Sequence, residues 1–254
     1  MLFSPKKHLF VTLVLITSVG GIFANKPLNL RQASKQFAKD SEELALARTA
    51  VVEYYQSGEF EKEVADICKK SLKRFISKAK IHWNSITETT GYSSSEEEEE
   101  EKKITIIADI DETLLLNLQW MIPLKFKYEL GKDTYEHRFK KECTAIKPML
   151  SLCKKLKKLG YTIIGLSSRR EKLHKATSEN LKEQGFDIDE VILMPEDIFA
   201  NKSKKDGIKP GDWKEGVRKE LSKRYKIIGC LGDSDDDFKG ECCGYKVQLP
   251  NYLY

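Results

Sequence analysis

Three apolar runs in the second half of the chain end in side chains that can do chemistry, and no other feature constrains the fold as tightly. The run from Ile104 to Ala108 leads into Asp109 and Asp111, "YTIIGLSSR" into Ser167, Ser168 and Arg169, and "YKIIGCLGDSDDD" into Asp233 and Asp237. Runs this short and this continuous suit strands that are buried on both faces. Between them lie stretches of helical period. One covers 148–159, with Met149, Leu152, Cys153, Leu156 and Leu159 on one side and Gly160 to stop it. The others are "EKLHKATSENLKEQG" and "WKEGVRKELSKR", while "EVILMP" and "YKVQLP" supply two further candidate strands. Strands alternating with helices predict a parallel sheet covered on both faces.

The fold class is therefore α/β, a Rossmann-like parallel sheet flanked by helices, occupying 104–254. In an open parallel sheet the carboxyl ends of the strands share one crevice, where ligands bind. Residues 119–147 lack the alternation and read as a small cap insertion. Its aromatic residues Trp120, Phe126, Tyr128 and Tyr135 fit packing, or stacking on an aromatic substrate group.

Residues 25–92 form an N-terminal helical arm. From Leu44 to Tyr55 the apolar positions share one helical face, Ser57-Gly58 breaks the run, and Val64, Ile67, Cys68, Leu72, Phe75 and Ala79 resume it. Residues 93–103 follow as an acidic flexible loop, because six adjacent glutamates repel one another and offer no apolar face. Residues 1–24 have the form of a cleaved signal peptide: Lys6 and Lys7, then a short apolar run, then small residues up to Ala24. That run is shorter than the ~20 residues of a membrane span. A secreted or periplasmic protein without a stable membrane anchor is expected.

Charge and cysteine content narrow the function classes. The formal charge of +5 is mild, and cleavage after Ala24 would remove two lysines and no acid. This suits an anionic small-molecule substrate. No basic arm or aromatic-interleaved stripe is present, which argues against a nucleic-acid partner. The six cysteines match no zinc spacing, and in an oxidising compartment they permit disulfides whose pairing sequence does not give. Self-association is left open. Asn201-Lys202-Ser203 fits a glycosylation sequon.

Aspartates gathered at one crevice repel each other unless a cation sits among them. The set is rich in oxygen and lacks a histidine, so Mg²⁺ is expected rather than zinc. A carboxylate beside Mg²⁺ can attack phosphorus and form an aspartyl-phosphate. A second aspartate two residues on can protonate the leaving alkoxide and then activate water. A hydroxyl and an ammonium must hold the remaining phosphate oxygens, and Ser167 and Lys214 are the candidates. A plain helix cap at Asp109 and Asp111 is the competing structural reading.

These residues resemble a known family. "DIDET" is similar to the DxDxT signature of the haloacid dehalogenase-like phosphohydrolases, "LSSR" to their Ser/Thr motif, the lysine of "WKEGVRKEL" to their lysine motif and "GDSDDD" to their acidic motif. The longer pattern "DIDETLLLN", "ATSENL", "LGDSDDDF" and "VQLPNYLY" resembles the exported acid phosphatase branch shared with plant vegetative storage proteins, and "EYYQSGEFEKEV" resembles bacterial members. The resemblance implies a phosphomonoesterase with Asp109 as nucleophile and metal ligand. Asp111 is then the general acid/base, its backbone carbonyl also meeting the metal. Ser167 and Lys214 hold phosphate. Asp233 is a further metal ligand, and Asp237 supports either the lysine or a metal-bound water, completing a metal set of Asp109, Asp111, Asp233 and Asp237. Arg169 would bind phosphate or form a structural ion pair. Ser168 stands where members often have glycine, "LNLQW" lacks the usual proline and tyrosine, and Glu112 has no assigned role. The same resemblance allows a storage or binding protein that keeps the fold, or a phosphoprotein phosphatase or phosphotransferase.

Overall fold

The computed structural model describes residues 26–38, 41–89, 102–124, 126 and 137–254. The expected signal at 1–24, residues 93–101 of the acidic loop, and Tyr128 and Tyr135 lie outside the described residues.

Each N-terminal helix starts where a side chain can satisfy its unpaired amides. Asn29 accepts from the amides of Arg31 and Gln32 to open α1 (Leu30–Gln36), and Ser41 accepts from that of Leu44 to open α2 (Glu42–Gln56). Ser57 and Gly58 turn the chain, with Gly58 at φ +87°, into α3 (Glu59–Thr89). Along α3 the buried residues Val64, Cys68, Phe75 and Ala79 recur at helical spacing. They face α5 (Lys147–Lys158), where the Cys68 thiol lies 3.4 Å from the Met149 sulfur. The Tyr161 hydroxyl donates to the Phe75 carbonyl at 2.7 Å. Phe75 is fully buried, and truncating such a ring to alanine costs about 3–5 kcal/mol.

The main sheet contains β1 (Ile104–Ala108), β4 (Thr162–Arg170), β5 (Glu190–Met194), β6 (Lys226–Gly232) and β7 (Tyr245–Gln248) in the order β5-β4-β1-β6-β7. Every pairing is parallel. All five residues of β1 are buried, as its central place requires. Its side chains alternate between two cores: Ile106 packs with Ile163, Leu231 and Phe75 on one face, and Ile107 packs with Ile164, Cys230 and Trp213 on the other. The second face is covered by α8 (Pro210–Arg224). Between the strands run α6 (His174–Glu183) and the short α7 (Glu196–Asn201), which has no buried residue and no counterpart in the sequence periodicity.

The chain builds outward from β1 through β4 to β5, then returns to lay β6 and β7 on the other side. The reversal at β1 is a topological switch point, and it sets the carboxyl ends of β4, β1 and β6 side by side. Beyond β1, β2 (Leu115–Leu116) pairs antiparallel with β3 (Thr144–Ala145), pinning both ends of the segment that holds α4 (Leu118–Met121). All six cysteines are free thiols, five of them buried. Among the described residues, no helix is long and apolar enough to cross a membrane.

Candidate active site

The end of β1 is fixed to β6 by the Asp109 amide, which donates to the Leu231 carbonyl at 2.8 Å. This sets the buried Asp109 carboxylate beside Lys214, carried by α8, at 2.5 Å. The same ammonium lies 2.5 Å from Asp237. Asp237 is aimed by the turn after β6: its Oδ2 accepts from the amides of Asp233 (3.1 Å) and Ser234 (2.9 Å). A side chain at Gly232 would collide with Asp237, so the turn closes only with glycine there. Burial alone would discharge Lys214, but Asp109 and Asp237 reverse this and raise its pKa. Burial, outweighing the attraction of Lys214, raises the pKa of Asp109, and Asp237, Asp233 and Asp111 add to the rise.

Asp233 completes the group, its Oδ1 accepting from the Thr113 hydroxyl at 3.2 Å. Burial, with repulsion from Asp237 and Glu112, pushes it up to about 7. One carboxylate oxygen from each of Asp109, Asp233 and Asp237 falls within a 4.8 Å cluster. Three crowded hard oxygen donors facing a single lysine form a set that a divalent cation would relieve of its repulsion. Asp237 gives one oxygen to Lys214 and the other to two amides, whereas Asp109 meets Lys214 through Oδ1 and Asp233 meets the neutral side chains of Thr113 and Asn251.

Between Asp109 and β2 the backbone doubles back. The amides of Leu114 and Leu115 both donate to the Ile110 carbonyl, and Glu112 adopts φ +53°. A left-handed non-glycine residue costs about 1–2 kcal/mol. Here that cost is offset by the fully buried Glu112 carboxylate, which accepts from the Asn117 amide at 3.0 Å, the Asn117 side chain at 2.9 Å and the Tyr254 hydroxyl. Burial beside Asp111 pushes Glu112 up to about 7.

Asp111 has a different environment. Arg169 donates to it from Nε (3.0 Å) and Nη2 (2.8 Å), Asn117 donates at 2.9 Å, and Arg138 pairs with it at 3.2 Å. Burial works against its charge, but Arg138 and Arg169 overcome this and hold the carboxyl far below the usual carboxylate range. Arg169 is enclosed. Besides Asp111 it donates to Thr177 Oγ1 at 3.2 Å and to the buried Cys143 thiol at 3.5 Å.

The fold thus brings together Asp109, Lys214, Asp233 and Asp237, with Asp111 on the adjoining turn. Ser167 is buried at the end of β4, its Oγ accepting from the Arg169 amide at 3.2 Å. Arg169 meets a carboxylate rather than open space. Trp120 stacks on His137 at 5.2 Å between ring centroids. Sequence reasoning missed Asn117, Arg138 and Asn251, and left Glu112 unassigned. Asn117 had a local signal, a polar residue in the apolar "LLLNL" run.

Residues 33–254 match the sequence profile of the HAD superfamily, subfamily IIIB (acid phosphatase). The chain belongs to this family. It is similar to Acid phosphatase 1 of Solanum lycopersicum, 29% identical over 58% of this chain and 57% of that protein. It therefore spans little more than half the length of that relative. The Stem 28 kDa glycoprotein of Glycine max is 27% identical over 75% of this chain and 76% of its own. Vegetative storage protein 1 of Arabidopsis thaliana is 34% identical over 58% and 54%. Among solved structures, the class C acid phosphatase from Bacillus anthracis with tungstate bound aligns with a TM-score of 0.55, covering 82% of this chain and 84% of that one at 19% identity. What is shared at that distance is the fold.

Proposed function

We propose that this chain is an exported, Mg²⁺-dependent acid phosphatase that hydrolyses small phosphomonoesters through an aspartyl-phosphate on Asp109. The observation that carries the reading is the buried Asp109 carboxylate, 2.5 Å from Lys214 and clustered with Asp233 and Asp237. Mg²⁺ held by Asp109, Asp233 and the Asp111 backbone would neutralise phosphate charge and let carboxylate and phosphate approach. Asp109 attacks phosphorus as the bond to the leaving oxygen breaks. Lys214 and Ser167 take the phosphate oxygens on which charge develops, and Asp237 keeps Lys214 charged and aimed. Asp111 protonates the leaving oxygen and later removes a proton from the water that releases phosphate.

That role requires Asp111 to gain a proton. Of its two arginines, Arg169 is wholly enclosed whereas Arg138 is 22% exposed. Arg138 is the partner that withdraws when substrate binds, and Arg169 is the hinge about which Asp111 stays oriented. Arg169 thus acts on the acid/base group rather than on phosphate. Export rests on the form of residues 1–24.

The likeness to Vegetative storage protein 1 favours a second reading, a storage protein that keeps the fold. The intact set of Asp109, Lys214 and Asp233 supports catalysis instead. The deciding experiment is turnover of p-nitrophenyl phosphate with Mg²⁺ and with chelator. The catalytic reading expects phosphate release that chelation abolishes and that Asp109→Asn lowers on the order of 10³-fold or more. Equal turnover by the variant would remove Asp109 as nucleophile.

A further inference from the structure

Asp233 is held from two sides, and one of them lies far from the motifs. Thr113 takes Oδ1, and the side-chain amide of Asn251 donates to Oδ2 at 2.8 Å. The orientation of that amide is set by its own segment: the Leu253 backbone N–H donates to Asn251 Oδ1 at 2.8 Å, leaving the NH₂ turned to Asp233. The segment is in turn placed by the sheet, since the Leu249 amide continues the β6–β7 pairing onto the Gly232 carbonyl at 2.8 Å. Three residues past Asn251, the Tyr254 hydroxyl donates to Glu112, the buried acid of the turn after β1.

The N-terminal helices clamp this segment from outside. Asn29, the cap of α1, donates to the carbonyls of Asn251 at 2.8 Å and Tyr254 at 3.0 Å. The Leu30 amide donates to the Tyr252 carbonyl at 3.0 Å, and Leu253 is buried. Asp233 and Asn251 also line a polar pocket of about 430 Å³ that Lys26 and Glu63 share. Without the amide, water from that pocket would replace a fixed donor with a mobile one.

We infer that residues 249–254 are a strap that positions Asp233 through Asn251, and that the N-terminal arm contributes to the reaction by holding the strap. This rests on the metal-dependent reading above, with Asn251 as a positioning residue for a ligand. Groups that orient metal ligands commonly change affinity 10–100-fold when removed.

The test is Mn²⁺ binding to the purified full chain, read from loss of the free-ion electron paramagnetic resonance signal, with melting temperature recorded in parallel. Asn251→Ala is expected to raise the Mn²⁺ Kd about 10–100-fold, with Asn251→Gln restoring part of the loss. Asn251→Ser gives the same reading should the alanine variant not fold. Asn29→Ala, which removes the two strap contacts together with the α1 cap, is expected to raise Kd by a smaller factor, and an unchanged value there removes the arm from the inference. A folded Asn251→Ala chain that binds Mn²⁺ as tightly as wild type overturns it. Asp233→Asn separates the two readings: if that variant also binds normally, it is the metal site itself that has failed.

Discussion

Arg169 grips Asp111 by both carboxylate oxygens, Nε to Oδ2 at 3.0 Å and Nη2 to Oδ1 at 2.8 Å. The Arg169 side chain has no solvent exposure, whereas Arg138, the other arginine on Asp111, is 22% exposed. Removing one partner of a buried ion pair strands the other, at about 3–5 kcal/mol, while a partly exposed pair is worth about 1 kcal/mol or less. Urea unfolding should therefore find Arg169→Met several-fold more damaging than Arg138→Ala. Equal losses would mean that the two arginines share the work.

Lys214 separates two buried carboxylates. Lys214→Met keeps its bulk and removes its charge, leaving Asp109 and Asp237 without a counter-ion. A loss of about 3–5 kcal/mol is expected in denaturant melts near neutral pH. Turnover should fall on the order of 10²–10³-fold, as for loss of one charge-stabilising donor. A stable variant with near-normal turnover would break the assignment of Lys214 to phosphate.

A cation that binds only the folded chain stabilises it by about 2.7 kcal/mol at a hundred times its Kd. Mg²⁺ should raise the melting temperature, chelator should reverse the rise, and Asp233→Asn should abolish the Mg²⁺ dependence. A chain whose melting ignores Mg²⁺ at millimolar concentration would count against the site.

His137, stacked on Trp120 and facing Glu142, Cys143, Arg138 and Arg169, gives a pH prediction. Burial lowers its pKa below the ordinary 6.5, assisted by Arg138 and Arg169 and opposed by Glu142. Between the lowered value and 6.5 the unfolded chain binds more protons than the folded one. Stability from this group is therefore present above 6.5 and lost as pH falls through that window. Glu112 and Asp233, raised to about 7, act in the opposite sense over the same range, so the check is a difference: the urea midpoint of wild type relative to His137→Phe should fall on acidification through that window.

The sequence made the strands legible because β1, β4 and β6 are each buried on both faces, and their polar ends needed only parallel topology to meet. Asp109, Asp233 and Asp237 follow from that, whereas Lys214, on a helix among many lysines, was legible only from its place before the last of these strands and from the family resemblance. The partners of Asp111 do not follow, because Arg138 and Asn117 reach it through tertiary contacts with no periodicity of their own. Arg169 was legible as a charged residue at a strand end, but its partner was not. Asn251 reads as half of a Pro-Asn turn signal in "LPNYLY", and its contact with Asp233 depends on β7 lying beside β6. The short α7 was invisible because six residues, with only Ile198 and Phe199 partly buried, are too few to show a helical period.

Asn29 and Asn251 stand 222 positions apart. Contacts of such separation form late, since the chain between them must already be arranged. A polypeptide made from its N-terminus therefore carries Asp109 and Lys214 for some time before Asn251 emerges to fix Asp233. Until then the incomplete chain has the proposed nucleophile without its finished neighbourhood. Refolding followed by phosphate release should accordingly lag behind refolding followed by helix signal.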